Sequence, residues 1–457
     1  MPQLYFNRIL GTPKCLLLTA VCSLIIVTVL FLHHDRQSTR GQAGSSNSTS
    51  NNEQGHSVLN MMKQKQYEQN ETSWVEQQER DLAELLAFAK CDNTMPRVES
   101  DESGNDKSLG LKLLPLNDWS VMCRGISIER DFDSLMRPHC RDRYLLLDYT
   151  YCSGLGNQMY RLASMYGIGR AACRRPIFVK GVQECVHGKR KKELWRHHDR
   201  ETPDEIERIF PLYSTQLKYV DLNAIKPSDI RYIEGFANHC CKYDDPGRLK
   251  LHQINEKYVQ LNKVDYLQNY KFFDGRRKDM RKIFQFSPNV CKNVLSAKCK
   301  LFESDRSSHK LCVHNRLSDF IQSGWASDLM FTLRSIEYII NELKPKYGGI
   351  SVLLLGAEKD FLHKIQQNLN KTLYTKMYIP ESSSRGEDLA FATIACNSML
   401  ITAPASTFSW WMAYLMPDNS PIYYSAHLEK TYRSKDNFLK EWIPLRLIDG
   451  KKIIRDG

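Results

Sequence analysis

The chain has 457 residues, 42% of them apolar and 25% charged, with a formal charge of +12. At about 100–200 residues per domain it holds two or three domains, and its composition excludes a collagen-like repeat, a fully disordered chain and a multi-spanning membrane protein. The positive charge suits anionic ligands but is too diffuse to argue for nucleic acid.

The stretch 15–32, CLLLTAVCSLIIVTVLFL, runs for 18 residues without a charge, close to the minimum that spans a bilayer. A cleaved signal peptide has a shorter apolar region and a small-residue cleavage site. Here the run ends in Leu32-His33-His34-Asp35, so the sequence predicts an uncleaved transmembrane signal anchor. Arg8 and Lys14 precede it, and Arg36 and Arg40 follow it, so the flanking charge barely orients it. The short leader and large remainder predict a cytoplasmic tail over 1–14 and a lumenal body. A short span also suits the thinner membranes of the secretory pathway.

A lumenal body agrees with sequons at Asn47, Asn70 and Asn370, each a candidate glycosylation site. Of 14 cysteines, Cys15 and Cys22 lie in the span, leaving twelve outside it, an even number that fits disulfides in an oxidising compartment. Cys291 and Cys299 are near enough in sequence to pair. Cys240 and Cys241 stand beside His239 but are read as disulfide cysteines, because no second Cys/His cluster at ligand spacing accompanies them.

Residues 35–57 contain no Val, Leu, Ile, Met, Phe, Tyr or Trp. They cannot bury enough surface to offset their ordering entropy, which predicts a solvated stem. Within that stem, 33–109, Leu82, Leu85, Leu86 and Phe88 fall on one face of a short helix over 78–90.

Beyond about residue 110, apolar strands alternate with amphipathic helices. Strands are predicted at 144–151, 176–180, 311–314, 350–355 and 399–403, with helices at 157–172, 333–343, 359–369, 386–397 and 407–415. This alternation predicts an α/β fold of parallel sheets with helices on both faces. Two Rossmann-like units, 110–300 and 301–457, would face a ligand cleft, because open α/β sheets bind ligands beyond the carboxyl ends of their strands.

Three places carry candidate chemistry. In Ser153-Gly-Leu-Gly-Asn-Gln-Met159, Gly154 and Gly156 allow a sharp strand-to-helix turn, and the helix start favours anions. Asn157 and Gln158 set two side-chain amides at that mouth. A plain tight turn is the simpler alternative. In Cys312-Val-His-Asn-Arg-Leu-Ser-Asp-Phe320, His314 and Arg316 are predicted to project to one side of an extended strand, with Asp319 just beyond. Arg316 offers a planar fork for a diphosphate, and fixed positive charge stabilises a departing nucleoside diphosphate. The plain alternative is a surface Arg–Asp pair beside a core histidine. The third place joins Glu387 and Asp388 to Ser406-Thr-Phe-Ser-Trp-Trp-Met-Ala-Tyr-Leu415, where Ser406 and Thr407 can cap a helix whose N–H groups face the cleft. Trp410 and Trp411 cannot share one helix face; one is predicted in the core, and the other in the core or lining a sugar or base platform.

These three segments resemble, in order and spacing, the α-1,2-fucosyltransferases of glycosyltransferase family 11, whose patterns read G-x-L-G-N-Q-M, H-x-R-R-x-D and S-T-F-G-W-W-A-A-Y-L. The resemblance covers about residues 143–440 and includes the Glu387-Asp388-Leu389 segment. It implies a GT-B-like two-domain fold and a Golgi type II enzyme that moves L-fucose from GDP-fucose to a glycan, with inversion and without a required metal or other cofactor. It also implies that Arg316 contacts the GDP phosphates and that Asn157 helps hold donor or acceptor. Arg316, His314 and Asp319 are the catalytic candidates, His314 and Asp319 being nearest the proposed phosphate site; either could instead be structural, and the general base stays open between them and the acids near Glu387. Gly154, Gly156, Asn157, Gln158, Glu387, Asp388, Ser406, Thr407 and Phe408 are the candidates for binding donor or acceptor. The second Arg of H-x-R-R-x-D is Leu317 here, and the Gly that follows it is Ser318.

Another basic residue would have to replace the lost guanidinium. The run from Arg170 to Arg200 has ten Lys/Arg against three acids and is a candidate, although a solvated basic face is its simpler reading. Asp131-Phe132-Asp133 matches the letters of a metal-binding Asp-x-Asp, but no buried strand precedes it. A sulfotransferase would place a Lys or Arg in the first loop, and none occurs from Ser153 to Gln158. An inactive lumenal glycan-binding protein is the alternative that Leu317 keeps open.

Overall fold

A computed structural model of the chain describes residues 122–123, 142–148, 154–179, 206, 208–211, 219–264, 266–381 and 384–456. The predicted anchor, the stem and its helix, the sequons at Asn47 and Asn70 and the Asp131–Asp133 match lie outside them. Among the described residues no helix is long and apolar enough to cross a membrane.

The first sheet is built from β1 (Tyr144–Asp148), β2 (Arg175–Val179), β3 (Tyr219–Val220), β4 (Ile230–Ile233) and β5 (Tyr258–Leu261). Its order is β3-β2-β1-β5-β4, with every pairing parallel. β1 has consecutive leucines because both its faces are covered. Leu145 and Leu147 join the main core, while Leu146 packs on the opposite face with Ile177 and Val179.

The second sheet contains β6 (His309–His314), β7 (Ile350–Leu355), β8 (Met377–Tyr378), β9 (Ser398–Ile401), β10 (Ile422–Ser425), β11 (Ile443–Ile448) and β12 (Lys452–Arg455). Its order is β12-β11-β10-β9-β6-β7-β8. All pairings are parallel except β11–β12, an antiparallel edge. The helices are α1 (Leu155–Ala172), α2 (Arg277–Ile283), α3 (Pro288–Leu301), α4 (Phe320–Ser323), α5 (Leu329–Tyr347), α6 (Lys359–Asn368), α7 (Arg385–Ala395) and α8 (Thr407–Leu415).

One core joins the two sheets. Leu147 and Tyr160 of the first sheet and its helix share it with Cys312, Met399 and Trp411 of the second. A separate core under α5 and α6 covers the other face of the second sheet. α1 is buried on almost every side, as a helix enclosed between layers must be. α8 packs against α1, α2 and α7, and both its tryptophans are core residues, 1% and 0% exposed. Neither is available as an open platform. The Trp410 indole N–H donates to the Asn437 carbonyl and that of Trp411 to the Gly156 carbonyl. Helical rotation therefore points the neighbouring rings at different partners within one core.

Cys291 pairs with Cys123, 168 residues away, and not with Cys299. The Cys291–Cys299 expectation rested on closeness in sequence, but α3 carries both residues two turns apart. Cys312 of β6 pairs with Cys396 at the end of α7, and Cys240 pairs with Cys241. The basic run is also not simply a solvated face where it is described. Arg174 is 0% exposed and donates to the carbonyls of Leu251, Ile254 and Glu256. It is a clamp on the chain entering β5, so its guanidinium is committed to the fold.

Candidate active site

The sequence sets a turn after β1 and another after β9, and the fold brings the two together. Gly154 precedes α1 and its carbonyl accepts the N–H groups of Asn157 and Gln158. Ser406 caps α8, its hydroxyl accepting the Ser409 N–H. Thr407 donates its hydroxyl to the Asn157 side-chain carbonyl at 2.8 Å. Gly156 faces the same turn so closely that a Cβ there would lie 2.7 Å from the Thr407 carbonyl carbon. The carboxyl edges of both sheets therefore meet at this point. Gln158 points inward and is buried.

β6 supplies the third segment and ends at His314. Arg316 consequently lies in the following loop, so the expected strand alternation does not govern it. His314 turns into the core, where its Nδ1 shares a 2.6 Å hydrogen bond with the Ser409 hydroxyl and its ring lies beside Phe408. Burial, with the nearby Arg316 charge, pushes the imidazole down to about 3, so it is neutral at physiological pH. Position 409, glycine in the family pattern, is thus the residue that anchors His314 to α8. Arg316 is partly exposed and binds Asp319 through both Nε and Nη2, at 3.0 and 2.8 Å, with its guanidinium near the Phe320 ring. This is the arrangement of an Arg–Asp pair beside a buried histidine, set at the carboxyl edge of the second sheet.

The backbone around Arg316 is held from below. Its N–H donates to the Ser327 hydroxyl, which is 2.6 Å from the Thr402 hydroxyl. Thr402 in turn donates to the His314 carbonyl. Leu317 is followed by Ser318 in the left-handed region, φ 35°, where glycine is relaxed. The Ser318 hydroxyl bonds Glu358, which offsets part of that strain.

Glu387 and Asp388 start α7, where Ser384 caps the helix, and Glu387 accepts the Asn293 amide of α3. Their bonds therefore tie α7 to its own start and to α3. Asn370 is exposed, and the Thr372 hydroxyl donates to its side-chain carbonyl.

The Ser327 that holds the Arg316 N–H also lines a cavity of about 550 Å³ at the carboxyl ends of β9 and β10. Trp325, Ser327, Asp328, Thr402, His427 and Lys430 are among the residues that line it. Sequence reasoning missed these residues because they come from three loops that share no motif. The one usable signal was position: 324–328 directly precedes a helix, and 426–431 directly follows a strand. Burial and the Arg446 charge depress the His427 imidazole. Among the described residues no group of three His, Cys, Asp or Glu side chains converges as a metal site.

Such paired turns at the carboxyl edges of two parallel sheets suit a sugar-nucleotide enzyme, and comparison with known proteins points the same way. The pattern of glycosyl transferase family 11 matches residues 248–446. Over those residues the chain is similar to that family. A galactoside 2-alpha-L-fucosyltransferase of Caenorhabditis elegans is 25% identical across 71% of this chain and 83% of its own. A putative galactoside 2-alpha-L-fucosyltransferase, svh-11, from the same organism is 26% identical across 62% of this chain and 71% of its own. Among solved structures, a mutant of Arabidopsis thaliana FUT1 in complex with GDP aligns with 66% of this chain and 78% of its own, at 11% identity and a TM-score of 0.36. Fucosyltransferase NodZ from Bradyrhizobium aligns with 69% of this chain and 99% of its own, at 12% identity and a TM-score of 0.35. The three segments singled out in the sequence are linked in the fold by the Thr407–Asn157 and Ser409–His314 hydrogen bonds.

Proposed function

We propose that this glycosyltransferase moves L-fucose from GDP-fucose to a hydroxyl of an acceptor glycan, position 2 of a terminal galactose, with inversion at the anomeric carbon. The body would be lumenal in the Golgi, held by the predicted single anchor, and the fold would be GT-B-like with no resident metal. The observation that carries this reading is the meeting of the two strand-to-helix turns at the Thr407–Asn157 hydrogen bond, with the partly exposed Arg316 in the loop after β6, whose last residue, His314, is bonded to Ser409 of α8.

In the proposed step the acceptor oxygen forms a bond to fucose C1 as the bond from C1 to the β-phosphate oxygen breaks. The acceptor proton passes to a base and GDP leaves with the electron pair. Arg316 meets the charge growing on the diphosphate, where a fixed cation lowers the barrier. Asp319 fixes the guanidinium plane. His314, neutral and locked to Ser409, acts as a positioning residue for the start of α8.

Calorimetric titration of the full-length protein with GDP-fucose, GDP and UDP-galactose tests donor choice. Transfer to a terminal-galactose acceptor in chelator then tests the reaction. Selective GDP-fucose binding and chelator-resistant transfer are expected, and Arg316→Ala should abolish transfer while leaving the melting temperature within a few degrees. Folded protein that binds neither guanosine nucleotide would instead favour the inactive glycan-binding reading, for which Leu317 is the specific observation. Full turnover by the Arg316 variant would remove that residue from the mechanism.

A further inference from the structure

We propose that Lys430 supplies the second cation for the donor's diphosphate, in place of the guanidinium missing at Leu317. The inference rests on the GDP-fucose reading above and deepens it.

Electrostatics motivates it. Arg316 holds Asp319 through two of its nitrogens, so the pair is close to neutral overall and leaves a diphosphate under-compensated. An adjacent second guanidinium would restore a net positive charge, but residue 317 is leucine. Of the cavity's lining residues, only Lys430 is a lysine or arginine, and among the described residues it makes no ion pair. The two lining carboxylates are engaged elsewhere. Asp328 accepts the Phe331 N–H at the start of α5, and Glu429 pairs with Arg446. The lining histidine, His427, is held toward its neutral form.

Position is fixed as well. The Trp325 indole N–H donates to the Lys430 carbonyl at 2.6 Å. A Cβ on Gly324 would touch the Lys430 side chain at 4.0 Å. The same short segment carries Ser327, whose hydroxyl holds the Arg316 N–H. Thus the loop that positions Arg316 also positions Lys430. A Lys ammonium acts as a mobile point charge and needs no fork geometry to meet a phosphate oxygen.

The test uses the full-length protein with GDP, GDP-fucose and guanosine in calorimetry, and transfer as a second readout. Lys430→Met should weaken GDP and GDP-fucose at least tenfold, leave guanosine affinity unchanged and flatten the salt dependence of GDP binding. Lys430→Arg should stay within a few-fold of the parent. Adding Leu317→Arg to Lys430→Met should recover most of the lost affinity, a rescue that general damage to the cavity would not give. GDP affinity unchanged in Lys430→Met overturns the Lys430 assignment alone. Equal loss of guanosine and GDP, or no rescue by Leu317→Arg, overturns it too. Parent protein that binds GDP no better than UDP overturns the donor reading itself, and this inference with it.

Discussion

At Gly156 the chain has no room for a side chain. A Cβ would lie 2.7 Å from both the Thr407 carbonyl carbon and its hydroxyl, and 2.8 Å from the Phe408 nitrogen. Two of those three atoms are backbone, so rotamer changes cannot relieve the clash and the starts of α1 and α8 must separate. Forcing atoms into a close-packed interior costs about 1–3 kcal/mol. The 2.8 Å bond from Thr407 to Asn157 lies one residue away and would lengthen with it. Gly156→Ala is therefore expected to lower the melting temperature and to lower transfer by more than the stability loss explains. Calorimetric melting and initial rates, compared on the folded fraction, check this. A variant with parental melting and turnover would mean the two turns do not need this contact. Leu155→Ala, one position along in the buried face of α1, should lose stability with less effect on rate per folded molecule.

At the scale of elements, α8 links the site to the core. Its start bears Ser406 and Thr407 at the meeting of the turns, and Trp411 lies inside an aromatic cluster with Tyr160, Phe273 and Phe284. Truncating a fully buried Trp removes a large apolar surface and leaves a cavity, costing about 3–5 kcal/mol. Trp411→Ala should therefore lower the urea midpoint sharply. Trp411→Phe keeps most of the packing and gives up mainly the indole bond to the Gly156 carbonyl, a loss of about 0.5–1.5 kcal/mol. Equal midpoints for the two variants would contradict the assignment of the loss to packing.

This helix also marks how far the sequence could be read. Its range, 407–415, and the alternation of strand and helix were legible, because period-3.6 patterns and continuous apolar strands are local signals. The join of Asn157 to Thr407 was not, since it spans 250 residues. The burial of both tryptophans was only half legible, because it depends on which layers enclose α8. Arg174 was misread for a related reason: charge predicts exposure only until long-range packing brings five backbone carbonyls to one guanidinium.

Across the whole molecule, buried histidines make stability depend on pH. His309 at the start of β6 bonds Ser398 and stacks on Tyr347, and burial, with the Lys310 and Lys346 charges, pushes it down to about 4. His314 at the other end of β6 is pushed down to about 3. In the unfolded chain both would titrate near about 6.5. Between that value and the folded ones, the unfolded chain binds protons that the folded chain refuses. Stability must then fall on acidification, by up to about 1.4 kcal/mol per pH unit for each histidine. The slope begins as the pH drops below about 6.5 and eases once His309 protonates within the fold. The depressed carboxylates Asp305, Asp244 and Asp456 act lower, losing their contribution as the pH falls from about 4 through their folded values. The melting temperature should accordingly drop from pH 7 to pH 5, before any carboxylate effect is large. His309→Asn, which cannot titrate, should reduce that drop. A melting temperature unchanged over this interval would mean that both ends of β6 accept a charged imidazole, and that His314 is not the neutral anchor of α8.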